Sequence, residues 1–520
     1  MRSSHDTSDS TEPTSVLVHT CGLHGVEGYV GSAIQRHLLT QAGFLGQLQA
    51  LQTGQMVIIA HAVNPHGMAW WERFNENNVD LNRNCVTVAG TPTESAAKFQ
   101  DLISKPYTEY LELDGLINPA EVGACDCFPI KAACTIMQYG IPHLKRATVS
   151  GQYIKQDGVF YGGASLQESV SLLLQQLQQL GVSRHNPNLA HLTHIDVHSG
   201  LGSPGQEALL IGPGSPLVLL RACVGVPAEG RSGGANASDF KVQPSRTDGV
   251  SYPMYGTLNA AVSLLAGPQP AALLATAVPA APGMAGGEEF QYAAPGDNEG
   301  NTQVESDSKS AAAAAQVEQD GIAVETKGAA GAGAAGRPPR GRDCVKMCLA
   351  QEFGTLPPAD VLRALRGLNA AMYGGGPGDG SRRDVPIDSP ERKAVLAAFF
   401  VDTDAWKFDM LRKGQDTACR LMAATFDDAT LAAHLSTAGV SPETVLQASA
   451  SRGGASAVAA ASTSVVKEDH ISVASAVGTS VSEAKQPPLP NSLSEYDDAI
   501  RAIPSSATQG SVASEDRTTV

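Results

Sequence analysis

The sequence predicts an α/β domain built on a sheet with crossover helices. Two observations carry this. Short β-rich runs alternate with stretches of helical period, which is how strands joined by helical crossovers read. Several of these runs also break into glycine and polar residues at their carboxyl ends, as strands of open α/β sheets do where they meet a ligand. Composition then limits how much of the 520-residue chain the domain takes up. Charged residues are 17% and aromatics 5%, against 53 glycines and 31 prolines. That is too little charge and too much glycine, proline and alanine for one compact domain throughout, so part of the chain is expected to be disordered. Residues 266–342 are rich in Ala, Gly and Pro and lack an apolar period. Residues 431–520 are rich in Ser, Ala, Thr and Val. The first reads as a disordered insertion, the second as a disordered tail, and residues 1–14 as a disordered N-terminus. What remains, 15–265 plus 343–430, is long enough for one domain with a sizeable core.

The first expected strand, 15–20, runs into Cys21-Gly-Leu-His24-Gly-Val-Glu27-Gly. A helix is expected over 30–41. The second strand, 55–63, runs into Asn64-Pro-His-Gly67. A helix over 166–180 follows from Val170, Leu173, Leu174, Leu177 and Leu180, which share a face at helical spacing. Strand 192–198 ends in His198-Ser-Gly-Leu-Gly, and a further strand is expected over 207–212. Strand 344–353 carries Gln351-Glu352-Phe-Gly-Thr near its end. Helices are expected over 359–372 and 391–424. If these strands are parallel neighbours, His24, Glu27, His198 and Glu352 meet in one crevice.

Two histidines and a glutamate suit a catalytic Zn²⁺, since three protein ligands leave a fourth position open. His24 and Glu27 are three apart in a turn and can reach one ion. Glu352 is then available as a general base. The stretch from Arg73 to Asn84 carries two arginines, Arg73 and Arg83, suited to binding a carboxylate and polarising a carbonyl. Taken singly, each of these residues has an ordinary structural reading. His194, Asp196 and His198 alternate along one strand and share a face, so Asp196 reads equally as a support for a ligand or as a ligand itself. Arg83 reads as a surface ion pair, and Glu352 as a helix cap. The joint occurrence at several strand ends is what points to a site.

Other classes fit less well. A net charge of −16 argues against a nucleic-acid binder, which needs a basic face. No apolar run reaches the ~18 residues of a membrane span. Residues 1–15 are polar and lack the apolar stretch of a secretory signal. Nine scattered cysteines, an odd number, fit reduced thiols and a cytoplasmic setting. Gly230-Arg-Ser232-Gly-Gly234 has the spacing of a serine-hydrolase elbow, yet no apolar strand precedes it and no helical pattern follows. Cys344-x-x-x-Cys348 and Cys125-Asp-Cys127 lack a matched pair at structural-zinc spacing. A catalytically inactive scaffold is the non-enzyme alternative, and the intact set of metal, base and arginine residues argues against it.

His24-Gly-Val-Glu27-Gly, Asn64-Pro-His-Gly67, Val79-Asp-Leu-Asn82-Arg83-Asn84, Asp196-Val-His198-Ser-Gly-Leu-Gly and Gln351-Glu352-Phe-Gly-Thr355 together resemble the zinc-carboxypeptidase superfamily. The match is to its branch of unknown function near the succinylglutamate desuccinylases and aspartoacylases. The stretches from Gly151 to Gly163 and from Phe399 to Trp406 are similar to that branch as well. The resemblance implies a single carboxypeptidase-like domain with a mixed, mostly parallel sheet flanked by helices. It implies one Zn²⁺ per chain, held by His24, Glu27 and His198, with Glu352 as general base. Arg73 would polarise the scissile carbonyl. Asn82 and Arg83 would hold the substrate carboxylate, and Tyr252 or Tyr255 would line the pocket. The implied activity is hydrolysis of an amide bond beside a free carboxylate. The substrate would be a peptide C-terminus or a small N-acyl amino acid; an N-acyl amino acid deacylase is thus the alternative within the same superfamily.

Overall fold

The computed structural model describes residues 12–86, 92–123, 126–212, 215–225, 240–244, 255–274, 343–375 and 381–450. Among these, six strands form one sheet in the order β2-β1-β3-β6-β4-β5. They are β1 (Ser15–Cys21), β2 (Gln55–Ala60), β3 (His191–Leu201), β4 (Glu207–Ile211), β5 (Phe240–Pro244) and β6 (Val345–Leu356). β1 pairs in parallel with β2 and β3, β3 with β6, and β4 with β5; only β4 and β6 are antiparallel. The sheet is therefore mixed and mostly parallel, as expected. β5, a short run ending in Pro244, is an element the sequence reading did not contain.

Period-two alternation sorts each strand between two cores. Leu17 and Cys21 of β1, Ile195 and Val197 of β3, and Val345, Met347, Leu349 and Phe353 of β6 pack on one face. Helices Gly28–Leu38, Leu217–Cys223 and Asp404–Phe426 cover that face with Val30, Ile34, Leu219, Leu220, Met410 and Leu421. Val16 and Val18, Leu192, and Cys344 and Cys348 lie on the other face, under helices Glu168–Gln179 and Leu258–Leu265. Both helical patterns and the strand parity thus serve the same two-sided burial. A third cluster, including Val26, Phe74, Tyr110, Val159, Leu365, Val395 and Phe399, gathers residues from beyond the strand ends.

Three differences from the sequence reading have physical causes. The single helix expected over 391–424 is two, Pro390–Phe399 and Asp404–Phe426. The Ser199 and Thr355 hydroxyls, from β3 and β6, donate to the carbonyls of Phe399 and Ala398 and close the first helix. Thr403 then caps the second by accepting from the Trp406 N–H. The stretch after 430, expected as tail, begins with ordered structure: helix Asp428–Thr437 buries Leu431 and Leu435, and helix Pro442–Ala450 buries Val445. These residues are spaced for two short amphipathic turns that the serine and alanine content disguised. Likewise residues 266–274, expected as insertion, pack Ala266 and Leu273 into the two cores. The rest of both segments, residues 1–11 and the Ser232 motif lie outside the described residues.

Candidate metal centre

β1 ends at Cys21, and His24 follows three residues later. The chain then turns through a 3₁₀ segment, Gly25–Glu27, into helix Gly28–Leu38. This turn is held from outside: Gly25 N–H and Val26 N–H donate to the carbonyls of Arg73 and Glu72 at 3.1 and 2.8 Å. Gly25 has to be glycine, because a Cβ there would come within 2.2 Å of the Gly67 backbone. The neighbouring segment Pro65–Trp70 is itself fixed by Asn64, whose side chain accepts from the Gly67 N–H. The Asn64-Pro-His-Gly67 motif therefore forms the shelf on which the His24–Glu27 turn rests.

His198 lies in β3, on the same face as Asp196 and His194. The ring of His198 stands 4.9 Å from that of His24, centroid to centroid. Both histidines present Nδ1 to Glu27: His24 Nδ1 is 3.0 Å from Oε1 and His198 Nδ1 is 2.9 Å from Oε2. The two Nδ1 atoms are 3.2 Å apart. Among the described residues, His24, Glu27 and His198 are the one group of three or more His, Cys, Asp or Glu whose ligand atoms converge, all within 4.8 Å of one another. All three are buried.

Behind each histidine stands a carboxylate. Asp80 Oδ1 is 3.0 Å from His24 Nε2, and Asp196 Oδ2 is 2.8 Å from His198 Nε2. Such partners orient the ring and select the tautomer of metal-ligating histidines. His24 Nε2 also lies 2.8 Å from Arg73 Nη2, which can only donate, so Asp80 orients that ring without alone fixing its tautomer. Burial opposes charge on Glu27, but His24, His198 and Arg73 hold its carboxyl well below the usual range. Burial also opposes charge on Asp80, which Arg73, His24 and Arg83 nonetheless keep ionised. Burial disfavours a charged His198, yet Asp196 and Glu27 outweigh it and hold the imidazole well above its ordinary value. The crevice thus stabilises positive charge. Two imidazole nitrogens and a carboxylate, each histidine backed by a second carboxylate, form a donor set that fits Zn²⁺.

The other expected residues fall around this cluster. Glu352 sits opposite His198 in the parallel register of β3 and β6, so the two side chains share a face. It is 7% exposed, and its charge acts on Arg73. Arg73 reaches Glu27 Oε1 with Nη1 at 2.8 Å and Asp80 Oδ2 with Nε at 3.2 Å. Its guanidinium lies 5.8 Å from the Phe160 ring centroid and 6.0 Å from that of Phe399. Arg83 is not a surface ion pair: it is buried, and its Nη1 donates to the Asn82 carbonyl. Asn82 Oδ1 accepts from the Leu258 N–H and so anchors helix Leu258–Leu265. Tyr255 is buried with Val86, Phe99, Leu102 and Tyr153, where burial pushes its phenol up to about 12. Tyr252 lies outside the described residues.

Four residues at the site were not singled out by the sequence reading. Asp80 sits inside the Val79–Asn84 motif, and an acidic residue three before Arg83 was its only signal. Phe160 and Phe399 belong to the two stretches that gave the resemblance, although no charge pattern marks them. Thr20, the last polar residue before Cys21, carries no signal of its own. The paired cysteines show no metal geometry: Cys344 and Cys348 are buried free thiols, each raised to about 12 by burial. Cys125 lies outside the described residues.

Residues 7–216 match a family described as a protein of unknown function, DUF2817. No curated protein matches the chain. Among solved structures it is similar to one titled as the crystal structure of the carboxypeptidase A from Helicoverpa armigera, at 15% identity and a TM-score of 0.25. That similarity covers 51% of this chain and 52% of the insect enzyme, so the chain spans about half the length of the structure it matches. No helix among the described residues is long and apolar enough to cross a membrane.

Proposed function

From a chain whose residues 7–216 belong to the DUF2817 family, we propose a zinc-dependent hydrolase that cleaves an amide bond beside a free carboxylate. The observation that carries this reading is the convergence of His24 Nδ1, Glu27 and His198 Nδ1, with Asp80 and Asp196 behind the two rings. His24, Glu27 and His198 would hold the ion. Bound zinc would supply Lewis acidity to a water and to the substrate carbonyl. Glu352, on the His198 face of the sheet, takes the proton of the attacking water and returns it to the leaving nitrogen. Arg73 places positive charge beside this point and supports the developing oxyanion. Arg83 and Asn82 receive the substrate carboxylate, for which a guanidinium gives a bidentate partner.

The test is zinc content and turnover in the same preparation. The protein is expected to hold about one zinc and to hydrolyse C-terminal peptides or N-acyl amino acids, with loss of turnover in chelator. Glu352→Gln is nearly isosteric and should keep zinc while turnover falls by roughly 10²–10⁴. Near-normal turnover in that variant refutes the role of Glu352. Loss of zinc would instead make Glu352 a ligand.

A further inference from the structure

Behind His198 the polar chain continues past Asp196 into the sheet. Thr20 and Asp196 are direct register partners across β1 and β3, and His194 lies one alternation earlier on β3. Thr20, His194 and Asp196 are completely buried. Thr20 Oγ1 lies 2.6 Å from Asp196 Oδ1 and 3.0 Å from His194 Nε2. These groups sit on the face that bears His198 and Glu352.

Proton accounting sets the direction of every bond. A carboxylate only accepts, so the single hydroxyl hydrogen of Thr20 goes to Asp196. The Thr20 oxygen is then left to accept, and His194 must carry its proton on Nε2. Burial lowers His194 to about 4, so its ring is neutral at ordinary pH. The second carboxylate oxygen, Asp196 Oδ2, receives the proton on His198 Nε2, which leaves His198 Nδ1 as the atom turned toward Glu27 and His24. Hydrogen bonds linked through one hydroxyl and one carboxylate in this way polarise one another.

We infer that Thr20 and His194 are positioning residues of the metal centre: they orient Asp196, and through it fix the tautomer and the angle at which His198 meets the ion. The inference rests on the reading of His198 as a metal ligand and adds two residues outside the ligand set. It also explains why a threonine and a histidine are buried in the centre of the sheet. Thr20 lies on the strand that leads into His24, and Asp196 on the strand that carries His198. The same hydroxyl therefore ties the two histidine-bearing strands together at the level of the site.

The experiment measures zinc affinity of the full chain by chelator competition, and apo stability by urea unfolding in chelator. Thr20→Val keeps the shape and removes the hydroxyl. Its zinc dissociation constant should rise 10–100-fold, the usual effect of losing such a supporting group. Thr20→Ser, which keeps the hydroxyl, should retain wild-type affinity. Wild-type protein that binds no zinc overturns the metal reading and this inference together. Wild-type protein that binds zinc, with Thr20→Val binding equally well, overturns only the inference. Should Thr20→Val fail to fold, nitrogen-15 NMR of wild-type histidines decides. Protonation of His194 at Nε2 between pH 6 and 8 is the expected result, and a proton on Nδ1 overturns the inference.

Discussion

Glu207 makes the stability of this protein depend on pH, and the sign can be worked out. It sits on β4, 2% exposed, on the sheet face opposite the candidate metal centre. Its Oε1 accepts from Gln351 Nε2 at 2.6 Å and from Thr417 Oγ1 at 2.9 Å. Burial pushes its carboxyl up to about 7, against the pull of those two bonds and of Lys413. In the unfolded chain the group titrates near its ordinary value of 4.5. The folded pKa is therefore the higher one. Its contribution to stability is fully present below pH 4.5 and is lost as pH rises through 7, because ionising the buried group disfavours the folded state. A rise of this size corresponds to about 3 kcal/mol once the folded group is ionised. Glu207→Gln removes the titration and keeps an oxygen for Gln351 and Thr417. In urea unfolding with chelator present, the variant's advantage over wild type should be larger at pH 8 than at pH 5 by about 2–3 kcal/mol. Parallel pH profiles for the two proteins would show that Glu207 is ionised at no net cost and refute the reasoning.

Arg83→Lys should weaken turnover of substrates with a free carboxylate while leaving amidated analogues nearly unchanged, since the bidentate pair is lost; equal loss on both would mark Arg83 as structural. Gly151→Ala should destabilise the chain by about 1–3 kcal/mol in thermal unfolding, because Gly151 has φ +82° and a Cβ would sit 2.7 Å from Arg83 Cδ. The same variant should raise KM for carboxylate substrates, since Arg83 has to move. An unchanged KM would detach Arg83 from the substrate.

The four strands that end in or just before polar residues were readable because each violates its own apolar run at one end. A strand that needs only to pack has no use for His198 or Glu352 after Ile195 and Leu349. The structure keeps those residues in register: His198 faces Glu352 and Thr20 faces Asp196. What stayed hidden were partners whose residue type is ordinary. Asp80 reads as a turn residue, and it does cap the 3₁₀ turn Leu81–Arg83 by accepting from the Asn82 N–H; only the fold shows that Oδ1 also meets His24. Thr20 reads as a β-branched strand residue. Arg83 reads as a carboxylate binder, but its alternative reading as a surface ion pair stays open in the sequence because nothing local shows that the Tyr153 hydroxyl and Gly151 close over it. The helices around 431–450 failed for the opposite reason, since their short apolar period is diluted by alanine and serine and becomes visible only against the core they cover.

Strand parity places the proposed catalytic carboxylate of β6 and the pH-sensitive Glu207 of β4 on opposite faces of one sheet, and this yields a last prediction. In β6, Val345, Met347, Leu349 and Phe353 pack on one face, so Gln351 lies with them and meets Glu207. Cys344 and Cys348 pack on the other, so Glu352 lies with them and with His198. Exchanging the two, Gln351→Glu with Glu352→Gln, keeps composition and charge but moves the carboxylate through the sheet. The carboxylate introduced by Gln351→Glu would face Glu207 without a donor, two carboxyls in one buried place, so at least one must stay protonated. The exchanged protein should therefore be less stable than wild type, by a margin that widens from pH 5 to pH 8. At pH 5, where both carboxyls can hold protons, it should fold and bind zinc through His24, Glu27 and His198. Its turnover should match that of Glu352→Gln alone. Wild-type turnover in the exchanged protein would mean that a carboxylate anywhere near the end of β6 suffices, and the assignment of Glu352 by face and register would fall.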